Sequence, residues 1–244
     1  MQAEQKREMV KALQAKINAM QGFGKMPEEP VTDGLMPFSS AFPGNVFPTG
    51  AIHEFISYEP VEAASTSGFI SALAGSFMKP GSLCLWIAKE KMIFPPALKQ
   101  FGIEPDRMIF IKVLKPKDTL WTIEEALKCE ALTAVIGEVK ELGFTESRRL
   151  QLAVEQSGVT AFIHRFRPFA ENATACTARW KITPLASSPE EGLPGLGHSC
   201  WDVQLLKVRN GSPHSWPVTW AGGCFRPLVE KQFSAQTQHA RNAG

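Results

Sequence analysis

The 244-residue sequence lacks several features that would assign it to a common class. No uninterrupted apolar run approaches the ~20 residues that a membrane helix needs, so we expect no membrane span. The N-terminal stretch MQAEQKREMV has no apolar core of a secretory signal, and its acidic residues argue against an organelle-targeting peptide. The formal net charge is only +2, so the chain is no polycation that would coat DNA nonspecifically. These absences predict a cytoplasmic globular protein.

Cysteine is also scarce. The five cysteines are odd in number, widely spaced and never arranged as a C-x-x-C pair. This usage fits free thiols in a reducing cytosol better than a disulfide framework. His198 and Cys200 form an H-x-C pair, but a structural zinc site needs four ligands and no second pair completes this one. We therefore predict no metal site and no other cofactor.

A phosphate-binding loop is missing at the place where the sequence pattern leads to one. Residues 52–56 read as a buried strand, and a helix is predicted to begin near Ser65. In a P-loop the turn between them would read G-x-x-x-x-G-K-[ST], whereas here it carries Glu59 and Glu62 and no lysine. The two carboxylates repel a triphosphate, and each lost charge-assisted hydrogen bond removes about 1.5–3 kcal/mol of binding free energy. The sequence therefore predicts that the chain neither binds ATP nor acts as an enzyme.

The features that are present alternate between short apolar strands and amphipathic helices. Strands are predicted at 51–57, 83–88, 108–114, 133–139 and 159–164, and helices near 66–78, 94–101, 118–129 and 145–157. This alternation predicts a mainly parallel sheet that is covered by helices. Beyond His164, segments of alternating apolar and polar residues and an N-G turn at Asn210 predict antiparallel strands that extend the sheet.

The parts outside this core are predicted to be an arm, a linker and a tail. Residues 1–22 have an apolar stripe at helical spacing, which predicts an amphipathic helix that packs on its own domain or docks on a partner. Residues 23–48 are rich in glycine and proline and are interpreted as a linker. The core domain is predicted to span residues 49–228, followed by a polar, disordered tail at 229–244.

Several segments together carry a likeness to a known family. They are IHEF, LWTIEEALKC, TESRRLQLAVEQSGVTAFIHR, ARWKI and LKVRNGSPHSWPVTW. Together they resemble the ImuA family, RecA-like proteins of SOS-induced mutagenesis that are also grouped with the cell-division inhibitor SulA. The resemblance extends from about Pro48 to Trp220. It implies a RecA-like α/β fold, of the P-loop NTPase type, with a degenerate Walker A loop.

The resemblance also implies a function and partners. ImuA-like proteins work beside an ImuB-type polymerase-like protein and an error-prone polymerase α subunit, so we expect an accessory role in copying past DNA lesions. RecA is a further candidate partner. Two alternatives stay open, namely a SulA-like division inhibitor and a weak single-stranded-DNA-binding module.

The candidate DNA contacts follow the fifth predicted strand. Arg165 and Arg167 stand where RecA-type cores place a DNA-contacting loop. Phe166 and Phe169 lie beside them, and arginine interleaved with phenylalanine suits phosphate contact plus base stacking. We therefore predict that this segment contacts DNA if any part of the chain does.

The remaining candidate residues come from a helix, the last hairpin and a strand end. Arg148 and Arg149 are either DNA or partner contacts or part of a solvated helix face. Arg209 matches a basic position on the final hairpin of RecA-type cores, and Trp216, near the hairpin turn, is a candidate interface residue. Glu90 resembles the glutamate that activates water in RecA-type ATPases, and we interpret it as vestigial because the phosphate loop is absent.

Overall fold

The structure is a computed structural model that describes most of the chain. The described residues are Met9, 35–90, 93–188 and 197–228, without the side chain of Ser188. The predicted tail and, apart from Met9, the predicted N-terminal helix lie outside them.

In this described part, nine strands form one sheet. They are β1 (Ile52–Ser57), β2 (Leu83–Ala88), β3 (Met108–Lys112), β4 (Leu132–Val139), β5 (Thr160–Phe166), β6 (Ala178–Ser188), β7 (His198–Val208), β8 (His214–Ala221) and β9 (Cys224–Pro227). Their order across the sheet is β3-β2-β4-β5-β1-β6-β7-β8-β9. Strands β1 to β6 pair in parallel, whereas β6 to β9 pair antiparallel. The predicted mixed sheet with antiparallel C-terminal strands is confirmed.

Among the described residues, three α-helices and several 3₁₀ segments connect the strands. The helices are α1 (Pro60–Phe77), α2 (Pro116–Leu127) and α3 (Phe144–Ser157), and the 3₁₀ segments are Phe38–Ala41, Pro43–Asn45, Pro95–Phe101 and Pro105–Arg107. The segment near 94–101 is therefore 3₁₀ rather than α-helical, and the paired prolines at its start limit backbone hydrogen bonding there. Within the described ranges, no helix is long and apolar enough to cross a bilayer.

The sheet is buried on both faces, which explains the continuous apolar runs of its central strands. All six residues of β1 are buried. One hydrophobic cluster packs α1 and residues 35–47 against one face, and a second packs α2 and α3 against the other. The carboxyl ends of the parallel strands therefore meet at one edge, where α1 begins.

The described part of the predicted linker belongs to the core. Leu35 and Phe38 are fully buried. The ring of Phe38 lies 5.3 Å from that of Phe69 and 4.9 Å from that of Phe225, centroid to centroid, in edge-to-face geometry. Glycine and proline interrupt helical and strand patterns, but burial of aromatic side chains holds these turns against the sheet. The interpretation of 35–48 as a linker is therefore wrong, and the described core begins at Leu35.

Candidate functional site

The connection between β1 and α1 is only two residues long. β1 ends at Ser57 and α1 begins at Pro60, so Tyr58 and Glu59 alone lie between them. Proline suits the first helical position because its fixed φ matches the helix and its missing N–H needs no partner. The predicted helix start near Ser65 is therefore wrong, since Pro60 already begins the helix. A connection of this length leaves no room for a phosphate-binding loop.

The side chain of Glu62 occupies the N-terminus of α1. Its Oε2 accepts hydrogen bonds from the backbone N–H groups of Tyr58 at 2.8 Å and Glu59 at 3.3 Å, and Lys181 Nζ lies 3.3 Å from Oε1. Burial alone would raise the pKa of Glu62, but the two N–H groups and the Lys181 ammonium hold it below its usual value. A phosphate would have to displace this carboxylate to reach the helix N-terminus.

A cleft of about 600 Å³ opens beside this turn, between α1 and residues 93–101. One wall carries small side chains of α1, including Ala64, Ser67 and Gly68, and the opposite wall carries apolar side chains such as Phe94 and Leu98. The cleft lies at the carboxyl ends of β2, β4 and β5, where open α/β sheets bind ligands. Its volume falls within the ~300–1,000 Å³ typical of small-molecule sites.

His164, on β5, contributes a buried imidazole to this cleft. Its Nε2 lies 2.6 Å from Ser57 Oγ, which in turn lies 3.2 Å from Thr66 Oγ1. Its Nδ1 has no hydrogen-bond partner among the described residues. Burial lowers the pKa of His164 to about 4, so the ring is neutral at pH 7. A buried nitrogen without a hydrogen-bond partner costs about 1–3 kcal/mol of folding free energy.

Two carboxyl groups border the cleft. Glu138, at the end of β4, accepts a hydrogen bond from Trp86 Nε1 at 2.7 Å. Burial raises the pKa of Glu138 even though this hydrogen bond opposes the shift. Glu90, the predicted vestigial ATPase residue, is exposed at the cleft mouth two residues after β2. In the part of the chain that the structure describes, no three His, Cys, Asp or Glu side chains gather as a metal site requires.

Arg165 is the centre of a buried ionic network. Its side chain is fully buried, and its Nη1 lies 2.7 Å from Oε1 of the equally buried Glu54. Arg179 Nε and Thr174 Oγ1 each lie 2.9 Å from the other oxygen, Oε2, of Glu54. Nη2 of Arg165 also donates to the Ala170 carbonyl at 2.9 Å, which fixes the loop after β5. The predicted contact between Arg165 and DNA is therefore wrong, because this guanidinium is closed off from solvent and already paired.

Comparison of this sequence with those of known proteins finds relatives that share one name. Protein ImuA of Caulobacter vibrioides (strain NA1000 / CB15N) is 30% identical to it over 200 residues, covering 77% of this chain and 80% of that protein. Protein ImuA of Caulobacter vibrioides (strain ATCC 19089 / CIP 103742 / CB 15) gives the same identity and coverage. The chain belongs to the ImuA family. No protein-family model matches it.

The fold of this ImuA family member is RecA-like. The crystal structure of the RadB recombinase superposes with a TM-score of 0.50, covering 74% of this chain and 92% of RadB. The sequence identity is only 11%, so the likeness concerns the fold alone. The expectation of a RecA-like sheet is confirmed.

The loop after β5 keeps one exposed arginine. Arg167 adopts a left-handed backbone with φ of 50°, and its Nε donates to the Tyr58 carbonyl at 2.7 Å. Its Nη2 lies 3.4 Å from Oε2 of Glu59, so Arg167 covers the β1–α1 connection. Phe169 is 81% exposed, and Lys140 Nζ lies 3.6 Å from its ring centroid. Of the two predicted DNA-contacting arginines, only Arg167 is accessible in this ImuA family fold.

The two arginines of α3 differ in their surroundings. Arg149 forms an ion pair with Glu124 of α2 and lines a groove between the two helices together with Trp121. Arg148 donates from Nη1 to Gln151 Oε1 at 2.8 Å on its own helix and does not line the groove. Trp121 is 60% exposed, which is unusual for tryptophan. The groove thus brings Arg149, but not Arg148, beside an exposed aromatic side chain.

The two remaining candidates lie among core and hairpin residues. Trp216 is buried, and its ring lies 5.4 Å from that of Phe38 in edge-to-face geometry. Its interpretation as an interface residue is wrong, because the alternation along β8 turns Trp216, like Val218, toward the core. Arg209 is half-buried, and its Nη2 donates to the Ala175 carbonyl at 3.3 Å.

Sequence reasoning missed three residues that matter to these sites. Glu54 and Arg179 are ion-pair partners in the buried network. The sequence signal for Glu54 is a charged residue inside the otherwise apolar strand segment IHEF, which indicates a buried charge that needs a partner. His164 ends a predicted strand, and the sequence pattern assigns it no role. Its pairing with Ser57 joins residues 107 apart, which no local pattern shows.

Proposed function

We propose that the chain is a non-catalytic, cytoplasmic accessory protein in SOS-induced error-prone translesion DNA synthesis. In this role it is a scaffold for an ImuB-type polymerase-like protein and an error-prone polymerase α subunit. Membership of the ImuA family supports the pathway. The observation that carries the non-catalytic part is the two-residue β1–α1 connection, whose helix N-terminus is already occupied by the Glu62 carboxylate. A RecA-like fold without a phosphate site can still bind partner proteins on its surface, but it has no means of holding a nucleotide.

The Ser57–His164 pair does not support a hydrolytic alternative. A serine nucleophile needs an accessible hydroxyl and a histidine that a third group orients. Ser57 is fully buried, and His164 Nδ1 has no orienting partner among the described residues. The pair therefore has the geometry of a structural hydrogen bond.

The groove between α2 and α3 supports a partner-binding role. Tryptophan and arginine dominate the binding energy of protein interfaces, and here Trp121 and Arg149 line one groove. Phe144, at the start of α3, is also 60% exposed. Exposed apolar surface marks an interaction site where it is contiguous, and Leu120 and Leu150 line the groove beside Trp121. We propose this groove as the surface that the polymerase-like partner contacts.

The test is capture of the co-expressed ImuB-type partner on the tagged full-length chain. Trp121→Ala should weaken capture by about 30-fold, the loss of roughly 2 kcal/mol that is typical of an interface hot spot. Arg149→Ala should weaken capture as well, whereas the adjacent Arg148→Ala, outside the groove, is the matched control and should not. Each variant should unfold at the wild-type denaturant concentration because Trp121 and both arginine side chains are exposed.

Two results would contradict the proposal. The first is no capture of the partner by the wild-type chain. The second is capture that requires ATP and is lost in the Glu90→Gln variant, since this result would show that the chain is an active ATPase. If Arg148→Ala, Arg149→Ala and Trp121→Ala all captured the partner as well as the wild type does, the groove would not be the binding surface. The proposed accessory role would be unaffected by that result.

Weak binding of single-stranded DNA is a second candidate function, and the loop after β5 favours it. Phe169 offers an exposed ring with a lysine ammonium beside it, and Arg167 Cζ lies 5.1 Å from the ring centroid of Phe166. Stacking platforms next to cations are the usual elements of single-strand binding. The test is fluorescence anisotropy with a labelled oligonucleotide at two salt concentrations. Phe169→Ala with Arg167→Ala should abolish salt-sensitive binding, and retention of it would remove this candidate.

A further inference from the structure

Three lysines lie around the start of α2, and together they form a basic cluster. Lys112 ends β3, Lys115 is the N-cap residue of α2, and Lys117 lies in the first turn of that helix. All three side chains are exposed, and none of them forms an ion pair with another described residue. Asp118, in the same turn, offsets one of the three charges, so the start of α2 carries a net positive charge.

Lys117 connects the basic cluster to the groove between α2 and α3. It lines this groove together with Leu120 and Trp121. The groove encloses about 270 Å³, below the ~300–1,000 Å³ typical of small-molecule sites, so it suits the side chains of a protein better than a whole small ligand. Leu114, which precedes Lys115 in the chain, is 65% exposed. Apolar and basic side chains are therefore neighbours around the start of α2.

The two carboxylates that line the groove already have favourable surroundings within the chain. Glu124 forms an ion pair with Arg149, and its Oε1 lies 3.7 Å from Lys128 Nζ. The Glu146 carboxylate lies against Gly143 at the start of α3, where the positive end of the helix dipole favours a negative charge. The basic cluster has no such compensation among the described residues, so this surface attracts anionic groups.

An acidic protein segment fits this surface better than a nucleic acid or a second copy of the chain. A nucleic acid carries a phosphate at every nucleotide, so a strand in the groove would bring phosphates to Glu124 and Glu146. A second copy that docked by the same face would set its own basic cluster against this one. A protein segment can place an apolar side chain in the groove and its carboxylates over the lysines, and it thereby avoids both repulsions.

We propose that the polymerase-like partner binds the groove through an apolar anchor that is flanked by an acidic segment. This inference rests on the proposed partner role of the groove, and it adds the chemistry of the segment that binds there. The anchor packs against Trp121, and carboxylates of the segment pair with Lys115 and Lys117. Because these lysines are exposed, salt screens the pairing, and the association depends on ionic strength.

The test is capture of the co-expressed partner on the tagged full-length chain after nuclease treatment. Lys115→Glu combined with Lys117→Glu should weaken capture about ten-fold, because like charges then face each other. Lys79→Glu combined with Lys207→Glu is the matched control, since it makes the same change of net charge at exposed lysines outside the groove and should leave capture unchanged. The first pair of substitutions should not destabilise the fold, because glutamate is favourable at a helix N-terminus.

Carbodiimide coupling of the wild-type complex identifies the contact directly. A carbodiimide joins a lysine amine to a carboxylate where the two groups are in contact, and mass spectrometry of the digested complex identifies the joined peptides. We expect Lys115 or Lys117 to be joined to an aspartate or glutamate of the partner that lies next to apolar residues in its sequence. We expect no such product from Lys79 or Lys207.

Several outcomes would overturn the inference, and they separate it from the proposed function. Full capture by the Lys115→Glu, Lys117→Glu variant, with capture lost in Trp121→Ala, would overturn the acidic segment and leave the groove as the partner surface. Equal weakening by the two double variants would show an effect of net charge alone. Capture that nuclease abolishes would assign the basic cluster to nucleic acid. No capture by the wild type would overturn the inference together with the proposed function.

Discussion

Replacing Arg165 by methionine tests whether this residue supports the fold or contacts DNA. Arg165 Nη1 is the hydrogen-bond donor that lies 2.7 Å from Glu54 Oε1, and both side chains are fully buried. Removing one partner of a buried ion pair costs about 3–5 kcal/mol, because the remaining charge is left without compensation. Arg179 and Thr174 still hold the other oxygen of Glu54, each at 2.9 Å. We therefore expect Arg165→Met to lower the free energy of unfolding by about 3 kcal/mol, the lower end of that range.

The assay is urea unfolding at pH 7.5, followed by tryptophan fluorescence. Arg167→Met is the matched control, since its side chain is 55% exposed and should change the free energy of unfolding by no more than about 0.5 kcal/mol. The reasoning would be refuted by an Arg165→Met variant that is as stable as the wild type and has lost single-stranded-DNA binding. Such a result would show that the guanidinium leaves its buried network in solution.

Two further predictions concern stability. Burial lowers the pKa of both His53 and His164 to about 4 from 6.5 in the unfolded chain, so only the unfolded chain gains protons as the pH falls from 6.5 toward 4. Each histidine should therefore remove about 2 kcal/mol of stability at pH 5 relative to pH 7.5, and a urea midpoint that does not change between these pH values would contradict their burial. Gly75→Ala should destabilise by about 1–3 kcal/mol in urea unfolding, because its Cβ would overlap the Phe101 carbonyl oxygen. Gly68→Ala in the same helix is the control, since its Cβ meets side-chain atoms at 3.4 Å and should not destabilise.

The local sequence pattern was sufficient to predict the strands of the sheet, but it was insufficient to predict where the helices begin and end. The mostly apolar runs from β1 to β5 located five of the parallel strands, because a strand covered on both faces is predominantly apolar. The start of α1 was misplaced because the apolar periodicity begins several residues after Pro60. Helix termini depend on single capping residues, which periodicity does not report.

The candidate site was harder to predict because long-range contacts decide it. Arg165 resembled a loop arginine, yet its partner Glu54 lies 111 residues away in the sequence. Trp216 lies near an exposed hairpin turn, but strand alternation turns its ring toward Phe38, a residue of the supposed linker. The absence of a phosphate-binding loop, by contrast, could be predicted from the sequence, since one short turn lacks the glycines and the lysine that such a loop needs.

Calorimetric titration of the full-length chain with Mg-ATP tests the central claim most directly. The β1–α1 connection has two residues, and Glu62 Oε2 already accepts the N–H groups that a phosphate would need. We predict no saturable heat up to millimolar ATP, which corresponds to less than about 4 kcal/mol of binding free energy. A dissociation constant in the micromolar range would contradict this account, most clearly if Glu62→Ala tightened it.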